Sequence, residues 1–316
     1  MSDNSRNNGI DALKCMAAIL IVAIHCASVT LFDQAVHLIG RMSVFLFYMI
    51  TGFYLDGLLK RDKILKITVF AYVLYLCIYL ASPVSGTLSL DVLPSADSLL
   101  IWLFSGSNDV GGHLWYLNGL ILALCFIVLI RKLGLYNSWL PIVVLFASNY
   151  ILATFVDDIW IYRNFLFTAT PCILFGKKLK ETIERESFPN IILHSNKILG
   201  LMICISIVLL FFETWTCNHL DVNMYRDFYL SLIPLCSFVY ILFYEMKGEN
   251  RVFRLASWIG NRLSTYIYIY HFCIVNMIYS YCHGYEQFLI SVVITILVSY
   301  IHYSIKSKFL RWKTVR

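Results

Sequence analysis

The sequence predicts an all-α polytopic membrane protein of about ten transmembrane helices, with the N-terminus and the C-terminus both cytoplasmic. Three observations predict it. The 316-residue chain is 59% hydrophobic and only 14% charged, with a mean hydropathy of +0.73, whereas a soluble domain carries about 25% charged residues. Apolar runs recur along its whole length, each roughly long enough for a hydrocarbon core of about 30 Å. Lys and Arg alternate with those runs as the positive-inside rule requires. A soluble globule of this length has no interior large enough for so much apolar surface.

The runs cover about 11–30, 37–59, 66–83, 114–130, 138–156, 163–178, 197–213, 228–245, 263–281 and 286–305. With the N-terminus placed in the cytoplasm, the cytoplasmic ends collect the basic residues of segments 6–14, 60–66, 131–132, 177–197, 247–262 and 306–316. Of the 25 Lys and Arg residues, Arg41, Arg163 and Arg226 alone fall outside. One span more or fewer would reverse every later loop and erase this asymmetry. No cleavable signal peptide precedes the first run, which reads as a retained span. The whole chain, 1–316, reads as a single membrane domain.

Within the first run, Asp11, Lys14, Ala18, Ile21 and His25 form one stripe. An α-helix turns about 100° and rises about 1.5 Å per residue, so Lys14 and His25 differ by about 20° in direction and by about 16 Å along the axis. Ionisable groups inside a membrane helix normally face a protein interior or a water-filled cavity. The plainer alternative is that Lys14 snorkels to the interface and His25 is a packed polar residue. Arg41 opens the second run, and positions 41, 48 and 52 share a helix face. The loop 82–112 is rich in Ser, Gly, Pro and Asp, with an interfacial helix expected near 96–105. It leads into GGHLWYLNGL, where His113, Trp115, Tyr116 and Asn118 crowd the outer end of the fourth run. Aromatic faces with polar tips suit carbohydrate, although Trp and Tyr also populate the interfacial belt by default. Arg163 opens the sixth run, either as an interface anchor or as a partner of Asp157 or Asp158. In the ninth run, Ser264, Tyr268 and His271 lie on one face at spacings of four and three. The basic tail after Ile305 suits anionic lipid headgroups.

Most of the ten cysteines sit inside apolar runs, where buried inert thiols are the default. Cys217 and Cys282 both fall near the outer face, where a disulfide between them is the minor alternative to that default. No CxxC pair occurs, so no metal site is expected. There is no P-loop, no G-x-S-x-G and no internal repeat, and no nucleic-acid partner is expected.

Several segments, in order, resemble the acyltransferase 3 family of integral-membrane acyltransferases that modify cell-surface sugars. GIDALKCMAAILIVAIHC is similar to the family's opening helix, with a basic residue, ten intervening residues and a histidine. RMSVFLFYMITGFYL, HLWYLNGLI, FLFTATPCILFGKKL and WIGNRLSTYIYIYHFCIV resemble later family segments. Many members carry Arg where this chain has Lys14, which keeps the charge but loses the bidentate fork. The chain looks like the family's short form, without an appended periplasmic domain.

The resemblance implies an O-acyltransferase, most often an O-acetyltransferase, of the bacterial inner membrane. It would carry an acyl group from cytoplasmic acetyl-CoA or another acyl-CoA to a hydroxyl of a polysaccharide or lipid-linked oligosaccharide such as O-antigen or exopolysaccharide. Acyl-CoA is then a substrate, and no bound cofactor is needed. On that reading His25 is the catalytic base and Lys14 binds the donor. Arg41, His113, Trp115, Arg163 and His271 bind the acceptor or stabilise charge. The rival classes are a multi-span transporter or exporter of a small solute or glycan, and a non-catalytic scaffold of a polysaccharide machine. Broken helices in repeated halves would favour transport.

Overall fold

A computed structural model describes residues 7–26, 29–81, 115–185, 195–220, 228–248 and 250–314. The expected interfacial helix at 96–105, His113 and Arg226 lie outside the described residues. Every described element is helical: α1 (Asn8–Ala23), α2 (Leu31–Gly40), α3 (Met42–Phe53), α4 (Leu55–Leu58), α5 (Arg61–Ala81), α6 (Trp115–Lys132), α7 (Leu140–Phe155), α8 (Ile159–Tyr162), a π-helical turn (Phe165–Ala169), α9 (Thr170–Glu184), α10 (Asn196–His219), α11 (Leu232–Glu245), α12 (Arg251–Arg262), α13 (Ser264–Tyr279) and α14 (Gly284–Thr314).

Each of the ten apolar runs falls at least in part on helix among the described residues. Among the described residues, four helical stretches are long and apolar enough to cross a membrane: Leu31–Phe53, α6, α10 and Gly284–Lys308. α7 and α11 are apolar but shorter. Local breaks divide several of the other runs. The first run, expected to be helical to residue 30, stops at Ala23. A new helix restarts at Thr30, whose hydroxyl accepts from the Asp33 amide at 3.1 Å while Asp33 accepts from the Thr30 amide at 2.8 Å. This reciprocal capping box satisfies two end donors and fixes the start of α2. The sixth run opens as a π-turn, where the Asn164 carboxamide accepts from the amides of Leu166 and Phe167 at 2.9 and 3.0 Å.

The chain divides into two compact units. The first comprises 1–47, 188–207 and 233–316. Here α1 packs most extensively on α12, and α13 on α14, with α1 also touching α13. Asn7 caps α1 by accepting from the Ile10 amide at 3.0 Å, and its side-chain NH2 donates to Tyr244 O at 3.2 Å. Gly260 permits the α1–α12 contact: a Cβ there would fall 1.7 Å from Asp11 O.

The second unit comprises 48–187 and 208–232. α6 packs on the π-turn, and α7 on α9. The buried Asn149 ties the turn down, donating to Phe167 O at 2.8 Å and Tyr162 O at 3.2 Å. Gly52 and Gly176 let two backbones meet: a Cβ on Gly52 would lie 2.1 Å from Ile173 O, and one on Gly176 would lie 2.1 Å from Met49 O. Gly52, after Thr51, and Gly176, after Phe175, therefore mark one crossing point.

Candidate functional site

In the first unit, the end of α1 meets the middle of α13. His25 lies two residues beyond Ala23. Its amide donates to Val22 O at 3.2 Å and that of Cys26 to Ala23 O at 3.2 Å, the tightened finish common at helix C-termini. The His25 ring lies 5.0 Å from that of His271, tilted by 44°, with the Phe272 ring edge-on at 5.3 Å. His271 is fully buried. Its Nδ1 stands 2.6 Å from Tyr268 O and 3.3 Å from Ile267 O. A carbonyl only accepts, so Nδ1 carries the hydrogen, and Nε2 is the basic nitrogen of the neutral ring. Ser264, Tyr268 and His271 are all buried on the one face of α13 that their spacing predicts. The two histidines singled out separately in the sequence thus share one site.

Lys14 lies on α1 two turns inside its N-terminus, with its Nζ 3.0 Å from Asp11 Oδ1. The Asp11 side chain is 2% exposed and that of Lys14 is 21%. Leaving one member of such a buried pair uncompensated costs about 3–5 kcal/mol. The charge expected to face a donor phosphate is therefore already offset on its own helix. Arg41 occupies the one-residue break between α2 and α3, its amide donating to Leu38 O at 3.3 Å. It closes α2 and immediately precedes α3.

Trp115 and Arg163 come together in the second unit. The guanidinium lies 5.3 Å over the indole ring, an arrangement worth about 0.5–2 kcal/mol. Tyr48 stands edge-on to Trp115 at 6.4 Å and packs on Tyr116 at 4.5 Å, its hydroxyl donating to Tyr116 O at 3.2 Å. The result is an aromatic patch with one cation.

A second polar cluster in this unit surrounds Lys177, which is 4% exposed. Its ammonium donates to Asn137 Oδ1 at 2.9 Å and to the Glu181 carboxylate, and it lies 4.2 Å over the Tyr136 ring. The Tyr136 phenol donates to Asp56 at 2.7 Å. Burial and then Asp56 push that phenol above its usual range. Burial alone would push the Glu181 carboxyl up, but Lys177 and Lys178 outweigh it and hold it below the usual carboxylate range.

Among the described residues, no group of three or more His, Cys, Asp or Glu side chains gathers as a metal site. Cys282, considered above as a partner for Cys217, carries a reduced thiol. The pairing of Lys14 with Asp11 was legible from their spacing of three but was read only as a shared stripe. Phe272, against His25, carried no signal beyond its place next to His271. The segment 251–262, read as a loop between spans, is a helix pressed onto α1.

The family model described as an acyltransferase domain matches residues 7–304. Two curated relatives from Enterococcus faecalis, each named amino-acid racemase, are 25% identical to the chain. One match runs over 281 residues, 79% of this chain and 38% of the relative. The other runs over 312 residues, 87% and 42%. The chain spans about two fifths of the length of these relatives. No solved structure matches it.

Proposed function

The chain belongs to the acyltransferase 3 family, and from that premise we propose that it is a membrane O-acyltransferase that moves an acetyl group from cytoplasmic acetyl-CoA to a hydroxyl of a cell-surface or lipid-linked sugar in a bacterial inner membrane. The observation that carries the reading is the contact between His25 and His271 at the end of α1. A sugar hydroxyl is a poor nucleophile, and a positioned histidine accelerates its attack by about 10²–10⁴. His25 takes the hydroxyl proton as the oxygen bonds to the thioester carbonyl carbon. The carbon–sulfur bond then breaks, and the coenzyme A thiolate recovers the proton from the imidazolium. His271, held by Tyr268 O, fixes the His25 ring. The Trp115–Arg163 patch suits a sugar face, and Arg41 and His113 are each assigned to acceptor binding or charge stabilisation by the family resemblance alone. Lys14 supports the donor together with its partner Asp11.

The test is deletion of the gene in its native host, followed by proton NMR of the purified surface polysaccharides in the O-acetyl methyl region. The expected result is a signal lost on deletion, restored by wild type and not restored by His25→Ala, with the variant still present in the membrane. Full restoration by His25→Ala would remove His25 as the base.

A second reading is a carrier of a small solute. The relatives' name favours it: a membrane part matching about two fifths of an amino-acid racemase suits delivery of an amino acid to the remainder. Uptake of labelled amino acids by cells expressing the chain, against the deletion strain, separates the two readings.

A further inference from the structure

Lys14, offset by Asp11, leaves open what holds the strongly anionic end of a nucleotide thioester. At the N-terminal base of α1 a pocket of about 230 Å³ opens between Asn8, Gly248 and one face of α12. Arg254, Trp258 and Arg262 lie on that face at spacings of four, with Ser257 and Asn261 beside them. The three large side chains are exposed at its rim, whereas Ser257 is buried in its floor. Trp258 packs on Tyr300 and Tyr303, and the Arg262 guanidinium lies 5.8 Å over the Tyr303 ring. These contacts hold the rim in place. α12 carries three arginines and no carboxylate.

We propose that the pocket lined by Asn8, Arg254, Trp258, Asn261 and Arg262 binds the phosphorylated nucleotide end of the acyl-CoA donor. This inference rests on the acyltransferase reading. The chemistry matches part by part. An arginine fork pairs with phosphate oxygens in bidentate geometry. An indole face accepts a nucleobase by stacking. Asn carboxamides both donate and accept, as a purine edge requires. The first amides of α1, a 16-residue helix, add the positive end of its dipole beside the same opening. Gly260, on the adjoining face of α12, touches α1 at Asp11 and Cys15, so the pocket floor and the Lys14 stripe belong to one packed helix pair. At helical rise His25 lies about 26 Å from Asn8 along α1. The pocket lies on the side that the basic-residue pattern assigns to the cytoplasm, where acyl-CoA is made.

A lipid phosphate carries the same anionic chemistry, so the test has two arms. The purified full-length chain in detergent is titrated calorimetrically with coenzyme A and with 3′-dephospho-coenzyme A. Its binding to phosphatidylglycerol vesicles is measured by flotation. Arg254→Gln and Trp258→Leu, both at exposed positions, are compared with wild type. The expected result is coenzyme A binding weakened about tenfold or more by each substitution, with vesicle binding unchanged and coenzyme A binding retained by His25→Ala. Equal coenzyme A affinity in wild type and both variants would overturn the pocket. So would vesicle binding that falls while coenzyme A binding does not, which would assign the pocket to lipid. Absence of coenzyme A binding by wild type also overturns it. The acyltransferase reading is judged separately by the O-acetyl NMR signal, so the two fail independently.

Discussion

Replacing Gly260 by Ala tests the geometry that supports the whole first unit. The added Cβ would stand 1.7 Å from Asp11 O, 2.7 Å from Cys15 N and 2.9 Å from Asp11 C. All three are backbone atoms, so no side chain can swing aside. Ordinary contact lies at 3.4–4 Å, so α1 and α12 must part by about 1.5 Å or more at that level. Overpacking of this kind costs about 1–3 kcal/mol, and the upper end applies where backbone meets backbone. Alanine recovers about 1 kcal/mol of helix propensity. The net loss is about 2 kcal/mol, a fall in melting temperature of roughly 4 °C. Gly200, inside α10, is the control: a Cβ there meets nothing within 4 Å. Gly200→Ala gains the propensity without the clash and should raise the melting temperature by about 2 °C. Intrinsic tryptophan fluorescence during heating of the detergent-solubilised protein reads both. A Gly260→Ala variant that melts at or above wild type would refute the close approach of α1 and α12.

His271→Phe keeps a ring beside His25 but removes the nitrogen that donates to Tyr268 O. It should lower the acylation rate by about 10²-fold or more with normal membrane accumulation, and a wild-type rate would exclude His271 from positioning His25. Glu181 provides a pH test. Its folded carboxyl sits below its usual range, so the stabilisation is present above the unfolded value near 4.3 and is lost as pH falls through the depressed one. Glu181→Gln should therefore melt lower than wild type at pH 7, with the gap closing below about pH 4. A gap that stays constant with pH would show that Glu181 acts by shape rather than charge.

The parts of this molecule differ in how far local spacing foretells them. Ser264, Tyr268 and His271 share a buried face because a helix period of 3.6 dictates it. The meeting of His25 with His271 depends on how α1 and α13 pack, and no spacing within either helix encodes that. The end of α1 at Ala23 was legible in principle. Thr30 and Asp33 form a capping-box pattern, but the apolar residues around them read as continuous span. α12 was missed because its arginines dominate its composition, while its packing face consists of the small residues Ser257 and Gly260. Hydropathy locates all ten runs, yet it counts residues without seeing where a helix breaks. That is why only four helical stretches among the described residues are long and apolar enough to cross a membrane.

The neutral pair of Asp11 and Lys14 alters how α1 responds to an electric field. A single charge carried across the membrane potential exchanges about 2.3 kcal/mol per 100 mV. A lysine alone on α1 would make any axial movement of that helix voltage-dependent. With its charge cancelled by a carboxylate 3.0 Å away, the pair moves as a dipole and exchanges almost nothing. An axial displacement of α1 would therefore cost almost nothing against the membrane potential.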